Sequence, residues 1–276
     1  MDSDFQPTAR VIADSISPAG VRLTTIEVTL HRFVLAELNT HRAFSRNSAS
    51  SRAIPVSRIL NRVADRPAIP VRFPAEQRGM QGGTDIDDPV KAREIWLAAR
   101  DAAVVYAEQL ICLGVHKSVV NRLLEPFLPH TVIISATDWD GFWRQRCSAL
   151  AQDEILVAAE AMQAARQAST PRPVPYGGWH LPYLQPEDQH VSRWVHQRLS
   201  AARCARVSYL THDGRRDTQA DLDLYTRLVE ADPPHASPLE HPATPARPGA
   251  AVPGNFRGWR QLRHLVLSRD TEASHG

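Results

Sequence analysis

The sequence has 276 residues, of which 43% are hydrophobic and 22% are charged, and its formal net charge is +2. These proportions are ordinary for a globular protein, and the small net charge argues against a long nucleic acid as partner. Three cysteines are too few for a disulfide framework and favour a reducing compartment. The N-terminus has no apolar signal core and no apolar run reaches the ~18 residues of a membrane span, so we expect a cytoplasmic protein without a membrane partner.

Hydrophobic patterning and turn residues predict long helices and a few strands, which together indicate an α+β fold. The first half of the chain is predicted to contain strands over 9–13 and 21–30, a loop over 40–52, a helix over 54–63, a loop over 65–87 and helices over 88–113 and 116–125. A strand over 131–136, helices over 138–146 and 151–167 and a linker over 169–186 follow. The remainder is predicted to contain a helix over 191–203, an extended piece over 207–210, a turn at 213–214, a helix over 221–230, a proline-rich loop over 232–254 and a helix over 256–267.

The longest predicted helix has clear start and stop residues. Asp88 can cap its first turn, Pro89 suits the first helical position, and Gly114 suits the position just after the end. The residues predicted to form its buried face are Ile95, Ala99, Ala102, Val105, Ala107, Leu110 and Leu113.

The loop from Thr40 to Arg52 is the most informative stretch of the sequence. It contains three arginines, one histidine, four serines and one asparagine, and it contains no carboxylate. Such a dense set of donors without an internal counter-charge indicates an anionic partner, and phosphate is the leading candidate. A solvated basic loop with no ligand is the alternative interpretation of the same composition.

The order of residues in this donor loop resembles the signature of the flavin-dependent thymidylate synthases. The loop reads Thr-His-Arg-x-x-Ser-x-Asn-x-x-Ser-x-Arg, and it departs from the family at Thr40, where an arginine is usual. Four further segments are similar to the same family, namely 116–126, 146–155, 201–209 and 235–241. In the family the last two segments precede the donor loop, so this chain resembles a circularly permuted member.

The resemblance implies one catalytic domain over 1–276, with an antiparallel sheet and long helices. Residues 9–168 would carry the donor loop and the nucleotide-binding helices, 169–189 a proline-rich connection, and 190–276 the permuted flavin-lining segment. The family assembles as a homotetramer with shared active sites.

The resemblance also implies an activity: FAD-dependent methylation of carbon-5 of a uridine monophosphate, dUMP to dTMP, with methylenetetrahydrofolate and NADPH as co-substrates. Arg146 would be the catalytic residue, because a guanidinium near the uracil oxygens stabilises negative charge on the ring. The implied substrate-binding residues are Glu37, Ser50, Arg52, Arg122 and Arg146. The implied cofactor-binding residues are Thr40, His41, Arg42, Asn47, Ser208, His235, Ser237 and Glu240.

The three cysteines do not suggest a covalent mechanism. The Pro-Cys-His of the better-known thymidylate synthases is absent. Cys112 is predicted to lie in the core and Cys204 lies between two alanines, so Cys147, next to Arg146, is the one thiol that merits a test. The histidines are scattered without metal-ligand spacing, and no metal is expected.

Four alternatives remain open from the sequence. The same chemistry could act on ribo-UMP in a specialised nucleoside pathway, or the product could carry a hydroxymethyl group. The chain could instead be a nucleic-acid-binding protein, although the near-neutral charge argues against it. It could also be an inactive nucleotide-binding module of the same fold.

Overall fold

The computed structural model describes residues 4–207 and 217–273, apart from the side chains of Gln189 and of residues 268–273. Its main sheet has the strand order β3-β4-β2-β1-β5. The strands are β1 (Thr8–Ile16), β2 (Arg22–His31), β3 (Ser45–Ser48), β4 (Pro129–Ala136) and β5 (Arg172–Pro173), and a separate pair is formed by β6 (Ala243–Pro245) and β7 (Trp259–Gln261). Strand β5 runs parallel to β1 and the other pairings are antiparallel, so the predicted antiparallel sheet is a mixed one.

Helices flank this sheet and confirm the α+β class. The described α-helices are α1 (Leu35–Asn39), α2 (Val56–Asp65), α3 (Pro89–Cys112), α4 (Lys117–Val120), α5 (Asp140–Arg146), α6 (Asp153–Gln167), α7 (Arg193–Arg206), α8 (Thr218–Val229) and α9 (Leu262–Ala273). Short 3-10 helices cover Arg32–Val34, Asn121–Phe127, Pro186–His190 and Ser237–Glu240. Over the residues described, no helix is both long and apolar enough to cross a bilayer.

The two faces of the sheet are covered differently. Alternate residues of β2 and β4, such as Ile26 and Ile134, pack in the main core against Ile155 and Met162 of α6. The opposite face is covered by the chain from Val174 onward, including α7 and the β6-β7 pair. Because strand side chains alternate, one strand serves both layers.

A row of buried polar side chains crosses the second face of the sheet. Ser15 Oγ lies 2.8 Å from His180 Nδ1, and His180 Nε2 lies 2.8 Å from Thr25 Oγ1. Thr25 Oγ1 lies 2.6 Å from Ser135 Oγ, which lies 2.8 Å from His241 Nδ1. This polar row fastens the C-terminal part of the chain to β1, β2 and β4.

Helix α3 begins and ends where the sequence predicts. The Asp88 side chain accepts a hydrogen bond from the backbone N–H of Lys91, and Gly114 has a φ of 75°. Its predicted buried face is largely wrong, because Ile95, Val105 and Leu113 are 61%, 49% and 79% exposed. The helix packs against α2, α4 and the 3-10 helix Asn121–Phe127 through Trp96, Ala103, Val104, Ala107 and Leu110.

The structure corrects several other predictions. The donor loop contains β3, which pairs with β4. The helix predicted over 116–125 is α-helical only to Val120 and then continues as a 3-10 helix through Pro126. The segment 256–267 begins with β7 before α9.

Three further expectations concern caps, linkers and thiols. The helix predicted over 138–146 begins at Asp140 as α5 and has Trp139 at its N-cap. The predicted linker 169–186 is fixed to the sheet by β5, and Val174 N–H donates to the Ile16 carbonyl. Cys112 is exposed at the end of α3 and is therefore not a core residue. The extended piece at 208–210 and the turn at 213–214 lie outside the described residues.

Candidate active site

Arg146, at the C-terminal end of α5, is held against the segment that leads into the donor loop. Its Nε donates to His41 Nε2 at 3.0 Å, and its Nη2 donates to Thr40 Oγ1 at 3.1 Å and to the Glu37 carbonyl at 3.2 Å. The structure therefore brings together the predicted catalytic arginine and three other predicted site residues, although His41 and Arg146 are 105 positions apart in the sequence.

His41 is neutral at physiological pH in this arrangement. Burial, together with the charges of Arg146 and Arg46, lowers the pKa of His41 to about 4. Since its Nε2 accepts from Arg146, the ring proton resides on Nδ1. His41 thus orients the guanidinium without adding a second positive charge.

Glu37 supplies an acceptor beside this arginine. Its Oε2 atom is buried and makes no hydrogen bond within the described part of the chain. A buried carboxylate oxygen without a donor is costly, and a ligand N–H would remove that cost. Glu37 therefore fits the substrate-binding assignment.

A second group of predicted residues lies at β3 and the 3-10 helix Ser237–Glu240. Asn47 Nδ2 donates to the Cys204 carbonyl at 2.6 Å, and Ser237 Oγ lies 3.3 Å from Asn47 Oδ1. Glu240 pairs with Arg263. The resemblance assigned Asn47, Ser237 and Glu240 to the cofactor, and the fold places them next to one another.

Arg46 connects these two groups. Its Nη1 donates to the carbonyls of Leu38 and His41, both at 3.1 Å, and the charge of Glu240 acts on it. His235 is exposed two residues before Ser237. Ser208 lies outside the described residues.

The predicted phosphate-binding residues lie elsewhere in the single chain. Ser50 is the first residue of a turn. Asn121 fixes this turn, because its Nδ2 donates to the Ser51 carbonyl at 2.6 Å. Arg52 is exposed. Arg122 is half exposed, pairs with Glu125 at 2.8 Å and lines a cavity of about 510 Å³ that does not include the Arg146 cluster.

A cavity of about 480 Å³ adjoins the Arg146 cluster. Its lining includes Thr40, His41 and Arg42 from the donor loop, together with two further arginines, Arg144 and Arg257, and two carboxylates, Asp138 and Asp140. Arg257 is paired with Asp138 at 3.0 Å, whereas Arg42 makes no ion pair with any residue that the structure describes. The cavity thus offers guanidinium donors to an anion.

Sequence reasoning missed several residues of this region. Arg46 was counted in the donor loop without a role, and Arg144, Arg257 and Arg263 were not singled out. Asn255 was also missed, although its Nδ2 donates to the Ala43 carbonyl at 3.1 Å and so holds the donor loop. Contacts over more than 200 residues of sequence leave no local pattern that could have predicted them.

The thiols are poorly suited to act as nucleophiles. Burial raises the pKa of Cys147, and the nearby Glu160 raises it further. Cys204 is fully buried, which also raises its pKa. The reactive form of a cysteine is the thiolate, and both environments disfavour it.

Two solved structures of the UMP/dUMP methylase PolB from Streptomyces cacaoi are similar to part of the chain. The structure bound with 5-Br UMP has a TM-score of 0.47 and 16% identity, and the match covers 58% of this chain and 88% of that one. The structure bound with 5-Br dUMP has a TM-score of 0.45 and 14% identity, with 58% and 90% covered. No family model and no curated protein matches the sequence. Similarity this weak identifies neither a family nor an activity for the chain.

Proposed function

We propose that this protein methylates carbon-5 of a uridine monophosphate, converting dUMP to dTMP, with methylenetetrahydrofolate and NADPH as co-substrates and FAD as cofactor. The observation that carries the proposal is the position of Arg146, whose guanidinium is held by neutral His41, Thr40 and the Glu37 carbonyl. The motif resemblance assigned these residues to one site, and their contact supports it.

Arg146 would stabilise the negative charge that develops on a uracil oxygen as carbon-5 becomes nucleophilic. A guanidinium held in place beforehand stabilises such charge without reorganisation during the reaction. The buried Glu37 Oε2 would accept a hydrogen bond from the ring N–H and so orient the pyrimidine. The raised pKa of Cys147 supports activation without a thiolate.

The donor chemistry of the region fits a diphosphate-bearing flavin. Arg42, with Arg144 beside it in the cavity, would bind the diphosphate, since planar guanidinium groups pair well with phosphate oxygens. His41, Asn47, Ser237 and Glu240 would contact the rest of FAD, with His235 and Ser208 nearby. When bound and reduced by NADPH, the flavin would supply the hydride that completes the methyl group. Thr40 provides no charge where the family has an arginine, and its hydroxyl instead accepts from Arg146.

The complete site would form between copies of the chain in a homotetramer. Within one copy, the cavity of about 480 Å³ beside the Arg146 cluster is not lined by Ser50, Arg52 or Arg122, the residues proposed for the nucleotide phosphate. The exposed apolar side chains of α3 support self-association, because large exposed apolar patches mark interfaces.

We also propose that the chain is circularly permuted. Asn47 in the donor loop contacts Ser237 and the Cys204 carbonyl near the other end of the chain. Segments in a different order can therefore supply neighbouring parts of one site. Permutation preserves a fold when the original termini lie close together.

The proposal is tested by incubating the purified protein with FAD, NADPH and methylenetetrahydrofolate, with dUMP and UMP in parallel, and measuring product masses. We expect a yellow flavoprotein and a product heavier by one methylene unit. Methylation of UMP in preference to dUMP would assign the ribonucleotide reaction, and a hydroxymethyl mass would assign hydroxymethylation. A protein that cannot be reconstituted with FAD, or that forms no product from either nucleotide, would refute the proposal.

A further inference from the structure

A second cavity, of about 580 Å³, lies between the 65–87 loop, α3 and the start of α6. Its walls include three aromatic side chains, Phe33, Phe73 and Trp96. Phe33 and Trp96 meet edge to face with ring centroids 6.0 Å apart. A cavity of this size with aromatic walls and a few polar groups has the usual character of a small-molecule site.

The loop wall of this cavity is a fixed structure. Arg72 Nε donates to Asp153 at 2.7 Å, and its Nη1 donates to the Gly83 carbonyl at 2.9 Å. Gly82 packs so closely on Pro74 that an added Cβ would lie 2.4 Å from the proline Cβ. These contacts within the chain hold Phe73 and the loop across the cavity.

The polar groups at the base are mainly acceptors. Glu154 is only 3% exposed, and its Oε1 accepts from the Val71 N–H at 2.9 Å while its Oε2 accepts from Gln152 Nε2 at 2.9 Å. Each carboxylate oxygen has a second lone pair for another donor. Asp153 adds a second carboxylate, and Arg72 is the one guanidinium in the lining, so the cavity favours donors over anions.

We propose that this cavity binds a planar heteroaromatic molecule, neutral or cationic, that presents amino or ring N–H donors to Glu154. The aromatic walls would stack or meet the ring edge to face. Large apolar side chains stand exposed at the rim, where Met80 is 97% exposed and Leu150 is 75% exposed, and a ring in the cavity would cover part of this surface. This cavity shares no lining residue with the cavity of about 480 Å³ beside the Arg146 cluster, and its ligand is independent of the proposed nucleotide chemistry.

The probes are 2-aminoquinoline, which when protonated on the ring nitrogen carries adjacent ring N–H and amino donors, quinoline, which lacks the amino group, and 2-naphthoate, which is anionic. Calorimetric titration of the full chain should show 2-aminoquinoline binding at least about tenfold more tightly than quinoline, because a donor pair meets a carboxylate. Weak or absent binding of 2-naphthoate is expected. Equal affinity for the three probes, or preference for the anion, would overturn the proposal.

Variants locate the binding. Glu154→Gln should remove the preference for 2-aminoquinoline over quinoline. Glu230→Gln should leave it unchanged, because Glu230 is an exposed carboxylate at the end of α8 and does not line the cavity. Phe73→Ala, on the surface loop, should weaken both heterocycles several-fold even if Glu154→Gln does not fold. Unchanged affinity in Phe73→Ala, or displacement of the probe by saturating dUMP, would contradict a separate site here.

Discussion

The guanidinium of Arg146 is restrained by three hydrogen bonds. One side chain donates to a histidine nitrogen, a threonine oxygen and a backbone carbonyl, all from the short segment between Glu37 and His41. Such a set of acceptors fixes both the position and the plane of the guanidinium. Rigid placement matters because electrostatic stabilisation of a transition state depends on dipoles and charges that are already oriented.

Replacing this arginine provides a direct residue-level prediction. Arg146→Ala should lower turnover of the uridine monophosphate by about 10²-fold or more, since that is the effect of losing one preorganised donor to a developing oxyanion. Flavin absorbance of the purified variant should stay near the wild-type value, as other residues are proposed to hold FAD. The control is Arg58→Ala, an exposed arginine of α2. Wild-type turnover in Arg146→Ala would remove the proposed role.

Cys147 provides a second prediction at this scale. Cys147→Ser should keep turnover within about threefold of wild type, because the raised pKa leaves little thiolate to lose. The turnover rates of the variant and the wild-type protein are compared at equal flavin content, and both proteins keep Cys204. Complete loss of activity in the serine variant would instead indicate covalent catalysis.

At the scale of elements, the polar row across β1, β2 and β4 connects stability to pH. Burial lowers the pKa of His180 and of His241 to about 3. In the unfolded chain a histidine has a pKa of about 6.5, so below that pH the unfolded state binds more protons. The stabilisation is therefore fully present above pH 6.5 and is lost progressively as the pH falls toward the folded pKa values.

His180→Gln tests this coupling. In urea unfolding between pH 6.5 and 4, removing one such histidine should reduce the pH slope of the unfolding free energy by about 1.4 kcal/mol per pH unit. The variant is also expected to be less stable at pH 7, because glutamine cannot keep both hydrogen bonds to Ser15 and Thr25. The control, His190→Gln, changes an exposed histidine. An unchanged slope in His180→Gln would show that this imidazole is not the coupled group.

Elements with local start and stop residues were predictable from the sequence, and elements fixed by distant partners were not. Helix α3 follows from Asp88, Pro89 and Gly114. Strand β3 was missed because Ser-Arg-Asn-Ser lacks the β-branched and aromatic residues typical of strands, and its pairing with β4 overrides that preference. The α-helical period was also insufficient to predict the 3-10 geometry from Asn121 to Phe127.

Knowledge of the site from sequence was similarly uneven. The motif resemblance selected Glu37, Thr40, His41 and Arg146, and the fold brings these four together. The resemblance could not predict that Arg122 would pair with Glu125 in a different cavity. The Arg122–Glu125 pair is an i,i+3 contact that local spacing allows, whereas the cavity that Arg122 lines depends on how the elements pack together.

On the scale of the whole molecule, α3 is notable for carrying several exposed large apolar side chains. Ile95, Val105 and Tyr106 are 61%, 49% and 60% exposed, although they lie on a 24-residue helix that packs through its other side. A helix of this kind is stabilised when a second apolar surface covers it. Self-association through α3 would also allow the phosphate-binding and uracil-binding residues of different copies to meet.

Val105→Asp tests this association. Sedimentation velocity of the wild-type chain should show an oligomer, and the variant should shift toward the monomer, because burying an unpaired carboxylate in an interface is strongly unfavourable. The circular dichroism spectrum should stay unchanged, since Val105 is half exposed in the single chain. The control is Ala251→Asp, in an exposed loop. A monomeric wild-type chain, or an oligomer that tolerates Val105→Asp, would contradict the proposed assembly.

The two-residue strand β5 has a consequence for how the protein behaves in concentrated solution. It closes one edge of the main sheet, and Pro171, Pro173 and Pro175 occupy alternate positions in the strand and on either side of it. Because proline has no backbone N–H, an extended chain that approaches this edge finds few donors with which to pair as an additional strand. We expect this edge to resist the strand-by-strand growth that leads to fibrils.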